Sequence, residues 1–201
     1  MIDAKLLPLQ RRLLAAPARW LGARMTADQI SVLGFGLGAL TVPALAAECF
    51  GIALILLVLN RLADGLDGAV ARIKGATDRG AFLDIGLDFV FYALFPLGFA
   101  LADPGQNALP AAVLISSFVG TGSSFLAFAS IAAKRRQVAI SFPNKGIYYL
   151  GGLTEGFETI AIFAAMALFP AWFAILAYSF AALCCISTLL RWRQGWLAFA
   201  D

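Results

Sequence analysis

The stretch "LADGLDGAVARIKGATDRGAFLDIGLDFVFYALF", residues 62–95, carries two pairs of aspartates among residues that are otherwise largely apolar or small. Asp64 and Asp67 are three residues apart, and Asp84 and Asp88 are four apart. On a helix, either spacing puts both side chains on the same face, one turn from each other. The stretch therefore predicts two helices, each with a pair of carboxylates on one face.

The connection between the pairs contains Gly75, Thr77, Asp78 and Gly80, residue types that favour a tight turn. We therefore expect the two helices to run antiparallel and side by side, with four carboxylates converging on one pocket. Unpaired carboxylates would repel one another there, and divalent cations remove this conflict. Oxygen ligands suit Mg²⁺ or Mn²⁺ better than Zn²⁺, and paired ions of this kind are common in phosphoryl chemistry. The predicted cofactor is a pair of Mg²⁺ or Mn²⁺ ions, bound by Asp64, Asp67, Asp84 and Asp88.

The composition is that of a membrane protein. Of the 201 residues, 61% are hydrophobic and 13% are charged, whereas soluble domains average about 25% charged residues. The mean hydropathy is +0.85. Six apolar segments have roughly the length that spans a bilayer: residues 29–47, 49–70, 82–102, 109–133, 147–169 and 171–190. The sequence predicts an all-α membrane protein with six transmembrane helices, forming a single domain over residues 1–201.

Residues 1–25 interleave apolar side chains with basic ones. A signal peptide would need a continuous apolar core and a small-residue cleavage site, and this segment has neither. We expect instead an amphipathic helix that lies on the cytoplasmic leaflet.

All 15 Lys and Arg residues agree with one orientation of the six predicted spans. They precede the first span, occupy the connections after the second and fourth spans, follow the sixth span or, like Arg61, lie near the charged end of span two. By the positive-inside rule, both termini and the aspartate-rich stretch face the cytoplasm, and we expect an integral protein of the cytoplasmic (inner) membrane. The net charge of +3 then reflects leaflet asymmetry and phosphate binding rather than nucleic-acid binding.

The rarer residue types exclude several kinds of site. The chain has no histidine, which excludes a Ser-His-Asp triad, an HExxH zinc site and a His-Lys-Asp site of the phospholipase D type. The three cysteines, Cys49, Cys184 and Cys185, have neither disulfide nor metal-ligand spacing, and we interpret them as small packing residues.

Residues beside the aspartates suit a phosphate-bearing ligand. Gly68 and Ala71 leave room for close approach to the helix, Arg72 can pair with a phosphate through its planar guanidinium, and Gly80 begins the second helix with free amides. Written out, Asp64-x2-Asp67-Gly68-x2-Ala71-Arg72-x7-Gly80-x3-Asp84-x3-Asp88 resembles the signature of the CDP-alcohol phosphotransferase family, DxxDGxxAR followed by GxxxDxxxD. All eight defined positions, within residues 64–88, are present.

The resemblance implies an enzyme that moves a phosphatidyl group from CDP-diacylglycerol to an alcohol and releases CMP. It implies that the four aspartates bind two metal ions and that Asp88 is the general base. The segment "MTADQIS", residues 25–31, is similar to the family's TPN-x-x-T segment near the cytidine, with Asp28 in place of Asn and Ser31 in place of Thr. The implied contacts of the CDP donor are Asp28, Ser31, Gly68, Ala71, Arg72 and Gly80. A homodimer is also expected, because the family tends to form one.

Basic residues outside the signature bear on the acceptor alcohol. Lys134, Lys145 and Arg191 fall on the cytoplasmic side of spans four to six, where a phosphate on the acceptor would need cations. This favours glycerol 3-phosphate first, and an inositol phosphate second, over serine or choline. Glu155 and Glu158 share one face of span five, and they either orient the acceptor or make a structural contact between helices.

Two alternatives assign the aspartates a role other than catalysis. Acidic residues in membranes also form ion or proton pathways, but inverted-repeat transporters carry matching broken helices in two halves. This chain has one acidic helix pair without a counterpart. The other alternative is a non-catalytic membrane protein that binds ions or lipid, which the complete aspartate set disfavours.

Overall fold

The computed structural model describes residues 13–135 and 154–200, and within these ranges the secondary structure is helical, with no strand. The described part of the N-terminal arm is helix α1, residues 13–22. The helices that follow are α2 (Ala27–Ala39), α3 (Thr41–Ala46), α4 (Phe50–Lys74), α5 (Asp78–Ala102), α6 (Pro104–Lys134), α7 (Gly156–Leu168) and α8 (Phe173–Ala198), with a 3-10 turn over Pro170–Trp172. The all-α prediction is therefore confirmed.

Four stretches among the described residues are long and apolar enough to cross a membrane: Ala27–Ala46, Asp78–Ala102, Pro104–Lys134 and Pro170–Ala198. They correspond to the predicted spans one, three, four and six. Helix α4 has 25 residues but carries Arg61, Asp64 and Asp67, which interrupt its apolar character. Helix α7 has 13 residues, and residues 147–153 of the predicted fifth span lie outside the described ranges.

Aromatic packing places α5 at the centre of the bundle. Phe91, Phe95 and Phe99 follow one another at intervals of one turn and are at most 1% exposed. The ring of Phe95 stacks on Phe163 of α7 at a centroid distance of 4.4 Å, and the ring of Phe99 stacks on Phe173 of α8 at 4.3 Å. Because Asp84 and Asp88 precede Phe91 on the same stripe of α5, this core also fixes where those carboxylates lie.

A short connection joins α4 to α5, as predicted. Gly75 ends α4 with a φ of +98°, a conformation that glycine adopts without strain. Thr77 then caps α5, and its Oγ1 accepts a hydrogen bond from the amide of Gly80 at 3.0 Å.

The packing of α4 and α5 differs from the expected side-by-side contact. Helix α2 packs against both of them, whereas α4 and α5 have little direct backbone contact. The expectation that they pack side by side is therefore wrong. Small residues let α2 approach α4 closely, and the carboxylates face a cavity that α2 closes on one side.

Close packing of α2 on α4 depends on Gly34. A Cβ added at Gly34 would lie 2.6 Å from the Cβ of Ala63, while a Cβ at Gly36, on the same helix, would meet nothing within 4 Å. We expect Gly34→Ala to lower the free energy of unfolding by about 1–3 kcal/mol, the usual cost of overpacking. Gly36→Ala is the matched control and should be neutral or slightly stabilising. Thermal unfolding in detergent checks this, and equal midpoints for the two variants would contradict it.

Candidate active site

One cavity brings the four predicted aspartates together. It is formed by α2, α4 and α5, and its lining residues are Ser31, Gly34, Phe35, Asn60, Arg61, Asp64, Asp67, Asp84, Leu87, Asp88 and Phe91. The lining changes from polar to aromatic along α5, because the stripe that carries the carboxylates continues into the buried phenylalanines. The site therefore lies between a charged opening and an apolar core.

Three of the aspartates form a compact group. One carboxylate oxygen each from Asp64, Asp84 and Asp88 lies within 4.8 Å of the others. Asp67 lines the same cavity but is held separately, because Ser31 Oγ of α2 donates a hydrogen bond to its Oδ2 at 2.5 Å. Asp67 is only 6% exposed, so this hydroxyl compensates part of the cost of burying a carboxylate.

Arg61 is part of this site, and the sequence interpretation did not include it among the site residues. Its Nη2 donates to Asp88 Oδ1 at 2.9 Å, and its Nη1 lies 3.7 Å from Asp64 Oδ2. Its Nε donates to Asn60 Oδ1 at 2.8 Å. The three-residue spacing between Arg61 and Asp64 was the available signal, since it places both on one helix face. The contact with Asp88, 27 positions further along the chain, could not be inferred from spacing.

The charges and ligand types at this site fit divalent metal ions. Four carboxylates face one guanidinium among the lining residues, so an excess of negative charge remains. Asp64, Asp84 and Asp88 offer oxygen donors at a mutual separation suited to binding one hard cation or bridging two. The donor set contains no nitrogen or sulfur ligand, and this favours Mg²⁺ or Mn²⁺ over Zn²⁺.

The residues predicted to contact the CDP donor lie on both sides of the α4–α5 connection. Asp28 of α2 accepts a hydrogen bond at Oδ2 from Arg79 Nε at 2.8 Å, and Arg79 Nη2 forms an ion pair with the same oxygen at 2.7 Å. A Cβ added at Gly80 would lie 3.2 Å from Asp28 Oδ1, so Asp28 lies against the first turn of α5. On α4, a Cβ at Gly68 would meet Arg72 Nη1 at 3.4 Å. Ala71 lies beside Arg72 and is partly exposed.

The predicted acceptor residues do not line the aspartate cavity as far as the structure describes them. Arg191 of α8 is 7% exposed and donates from Nη1 to the carbonyl of Thr121 of α6 at 3.0 Å. Lys134 is exposed at the end of α6, and Lys145 lies outside the described residues.

Glu155 and Arg191 nevertheless belong to one polar region between α6, α7 and α8. Glu155 is buried at the start of α7, where its amide donates to Glu158 Oε2 at 3.1 Å. This capping contact lies within α7, so it gives Glu158 a structural role of another kind than the expected contact between helices. The residue before Glu155, Thr154, donates from Oγ1 to Ser187 Oγ at 3.1 Å. Ser187 lies one turn before Arg191 on α8, so the fold brings the two candidates near each other.

Comparison with known proteins finds a relative that this chain matches over nearly its whole length. The chain is 50% identical over 198 residues to the inner membrane protein YnjF of Escherichia coli (strain K12), covering 98% of this chain and 96% of that protein. It is also 37% identical over 100 residues to the bifunctional IPC transferase and DIPP synthase of Rubrobacter xylanophilus, covering 46% of this chain and 23% of that protein.

The fold resembles a solved structure. Phosphatidylinositol phosphate synthase (PgsA1) of Mycobacterium tuberculosis, crystallised with CDP-DAG bound, superimposes with a TM-score of 0.69 over 92% of this chain and 94% of that chain, at 20% sequence identity. At this identity the likeness concerns the fold. The family profile described as CDP-alcohol phosphatidyltransferase matches residues 24–198, a range that includes the whole aspartate signature. The chain therefore belongs to the CDP-alcohol phosphatidyltransferase family.

Proposed function

We propose that this protein transfers a phosphatidyl group from CDP-diacylglycerol to an alcohol and releases CMP. The observation that carries the proposal is the compact group of Asp64, Asp84 and Asp88, in a chain of this family that retains all eight signature positions. The structural neighbour from M. tuberculosis binds CDP-DAG, which supports a donor of the same kind.

The donor would lie along the α4–α5 connection with its diphosphate at the aspartates. Its cytidine would contact Asp28, Ser31 and Gly80, and Gly68 and Ala71 would let the diphosphate approach α4 closely. Arg72 would pair with a phosphate oxygen through a charge-assisted hydrogen bond. The acyl chains would remain in the bilayer.

Asp88 would accept the proton of the acceptor hydroxyl, at Oδ2, because Arg61 donates to Oδ1. The acceptor oxygen would then form a bond to the lipid-side phosphorus as the bond from that phosphorus to the CMP oxygen breaks. When bound, two Mg²⁺ or Mn²⁺ ions supply positive charge that stabilises the diphosphate and the leaving CMP. Asp64, Asp67, Asp84 and Asp88 are the residues that would hold them.

The membrane arrangement follows from helix length and charge. Helix α4, with 25 residues, is about 37 Å long and can cross a bilayer despite its charged half. The proposed topology has six spans, which are the four apolar stretches together with α4 and the segment that ends in α7. In this topology, both termini and the aspartate cavity face the cytoplasmic side of the inner membrane. The N-terminal arm would lie on that leaflet, and a homodimer through apolar helix faces is part of the proposal.

The proposed acceptor carries a phosphate, with glycerol 3-phosphate as the first candidate and an inositol phosphate as the second. The polar region that contains Glu155 and Arg191 would bind it together with Lys134 and Lys145. Glu155 would then orient an acceptor hydroxyl, and the basic residues would pair with its phosphate.

Neutralising these cations should selectively weaken binding of the acceptor. We expect Lys145→Ala and Arg191→Ala to raise the apparent KM for a phosphorylated acceptor about 10-fold or more, because each loses a charge-assisted contact. The donor KM should stay within about 3-fold of the native value, because Arg72 and the aspartates bind the other end. Arg193→Ala, which removes an exposed arginine two positions further along α8, is the matched control. Equal losses for donor and acceptor would show that Lys145 and Arg191 are structural.

Release of CMP from CDP-diacylglycerol in a mixture of candidate alcohols tests the function before the acceptor is identified. Purified protein with Mg²⁺ or Mn²⁺ should release CMP only when a suitable alcohol is present, because the acceptor oxygen displaces CMP directly. Adding the alcohols one at a time and identifying lipid products by mass would then give the acceptor. No CMP release with either metal and any of the alcohols would favour a non-catalytic protein that binds ions or lipid.

A further inference from the structure

All three parts of the Arg61 guanidinium are held by named partners within the site. Nη2 contacts Asp88, Nη1 faces Asp64 and Nε contacts Asn60. Asn60 is itself only 3% exposed, and its Nδ2 donates to the carbonyl of Gly34 of α2 at 2.9 Å. The guanidinium also lies 5.1 Å from the ring centroid of Phe91. The arginine therefore has one defined position, which links α2, α4 and α5.

Two of the carboxylates proposed as metal ligands also pair with Arg61. Asp64 and Asp88 belong both to the group that could bind a cation and to the ion pairs of Arg61. A positive charge within about 5 Å of a divalent ion opposes its binding by several kcal/mol at intermediate dielectric. The same charge stabilises the carboxylates when no metal is bound. Arg61 should thus stabilise the metal-free protein and lower its affinity for metal.

We propose that Arg61 is a resident counter-cation that holds the aspartate cluster together without metal and sets how tightly Mg²⁺ or Mn²⁺ binds there. The proposal rests on the metal sites of the proposed function. It explains why an arginine lies among residues whose charge otherwise suits cations. It also gives the site a metal affinity lower than its four carboxylates alone would provide.

The test measures Mn²⁺ affinity by calorimetry and thermal unfolding in EDTA, both on the purified full chain in detergent. Arg61→Gln should bind Mn²⁺ at least about 10-fold more tightly than the native protein, because the opposing charge is gone. The same variant should unfold at a lower temperature in EDTA and gain more from added Mn²⁺. If Arg61 were merely structural, its replacement would lower the unfolding temperature without tightening Mn²⁺ binding.

Two further variants complete the design. Arg61→Lys keeps the charge and should bind Mn²⁺ within about 3-fold of the native affinity, with lower stability in EDTA because the planar fork is lost. Arg135→Gln is the matched control, since Arg135 contacts the carbonyl of Phe199 rather than the cavity, and its Mn²⁺ affinity should equal that of the native protein.

The outcomes separate this proposal from the proposed function. If the native protein binds Mn²⁺ and Arg61→Gln binds it with equal or weaker affinity, the proposed role of Arg61 is overturned and metal-dependent transfer remains in place. No Mn²⁺ binding in either protein would overturn both. If Arg61→Gln does not fold, Arg61→Lys decides, and an affinity more than about 10-fold from the native value would contradict a role based on charge.

Discussion

Asp88→Asn should lower the turnover number by at least about 100-fold, the usual scale for loss of a general base. The amide keeps the size of the side chain and can still accept from Arg61 at its oxygen, but it cannot take a proton from the acceptor hydroxyl. At saturating metal, affinity for the CDP donor should stay within about 3-fold, because Gly68, Arg72 and Gly80 are unchanged. Initial rates of CMP release at saturating donor, together with CDP binding by calorimetry, check both parts.

Two companion variants make this result specific. Asp78→Asn removes an exposed carboxylate at the start of α5, in the spacer between two defined positions of the signature, and should leave turnover within about 2-fold. Asp64→Asn should instead weaken metal and donor binding together, and higher concentrations of both should restore its turnover, because the change removes a carboxylate of the metal-binding group and leaves Asp88 as the base. Turnover near the native rate in Asp88→Asn would remove Asp88 from the role of base.

Removal of divalent metal should lower CMP release by at least about 1,000-fold, since metal ions supply several kcal/mol of charge stabilisation in phosphoryl transfer. The described cavity offers Arg61 as the only cation among its lining residues, which cannot replace two divalent ions beside a diphosphate. The measurement is CMP release in EDTA, followed by titration with Mg²⁺ or Mn²⁺.

Recovery on titration separates metal dependence from damage to the protein. Activity should return with either ion, and the Tm measured in EDTA shows whether the fold has survived. Zn²⁺ should restore less activity, because the lining residues provide no nitrogen or sulfur ligand. Full CMP release in EDTA would show that the aspartates act without metal, contrary to the mechanism proposed here.

Much of the fold was accessible from local patterns. The aspartate spacings placed each pair on one helix face, and Gly75 with Thr77 indicated the short connection that the structure shows. The number of spans stays a prediction, because four of the six predicted spans are long and apolar enough to cross a membrane among the described residues, and hydropathy does not weigh polar groups that pack inside a bundle. Helix α4 is long enough to cross a membrane, but it is not counted among the apolar stretches because it carries the charged residues of the site.

The chemistry of the site was determined by the sequence itself. Four carboxylates at helical spacing, with small residues and an arginine beside them, predict an oxygen-ligand metal site for a phosphate-bearing substrate. Such an inference depends only on which side chains share a helix face, and that is a local property of the chain.

The tertiary structure decided which of these groups act together. It separated Asp67, held by Ser31 of α2, from the compact group of three aspartates. It also brought Arg61 to Asp88, placed α2 against both signature helices, and left Glu155 and Arg191 outside the lining of the cavity. These contacts join positions tens of residues apart, and their distances depend on how small residues and buried aromatic rings pack the helices, which no local spacing encodes.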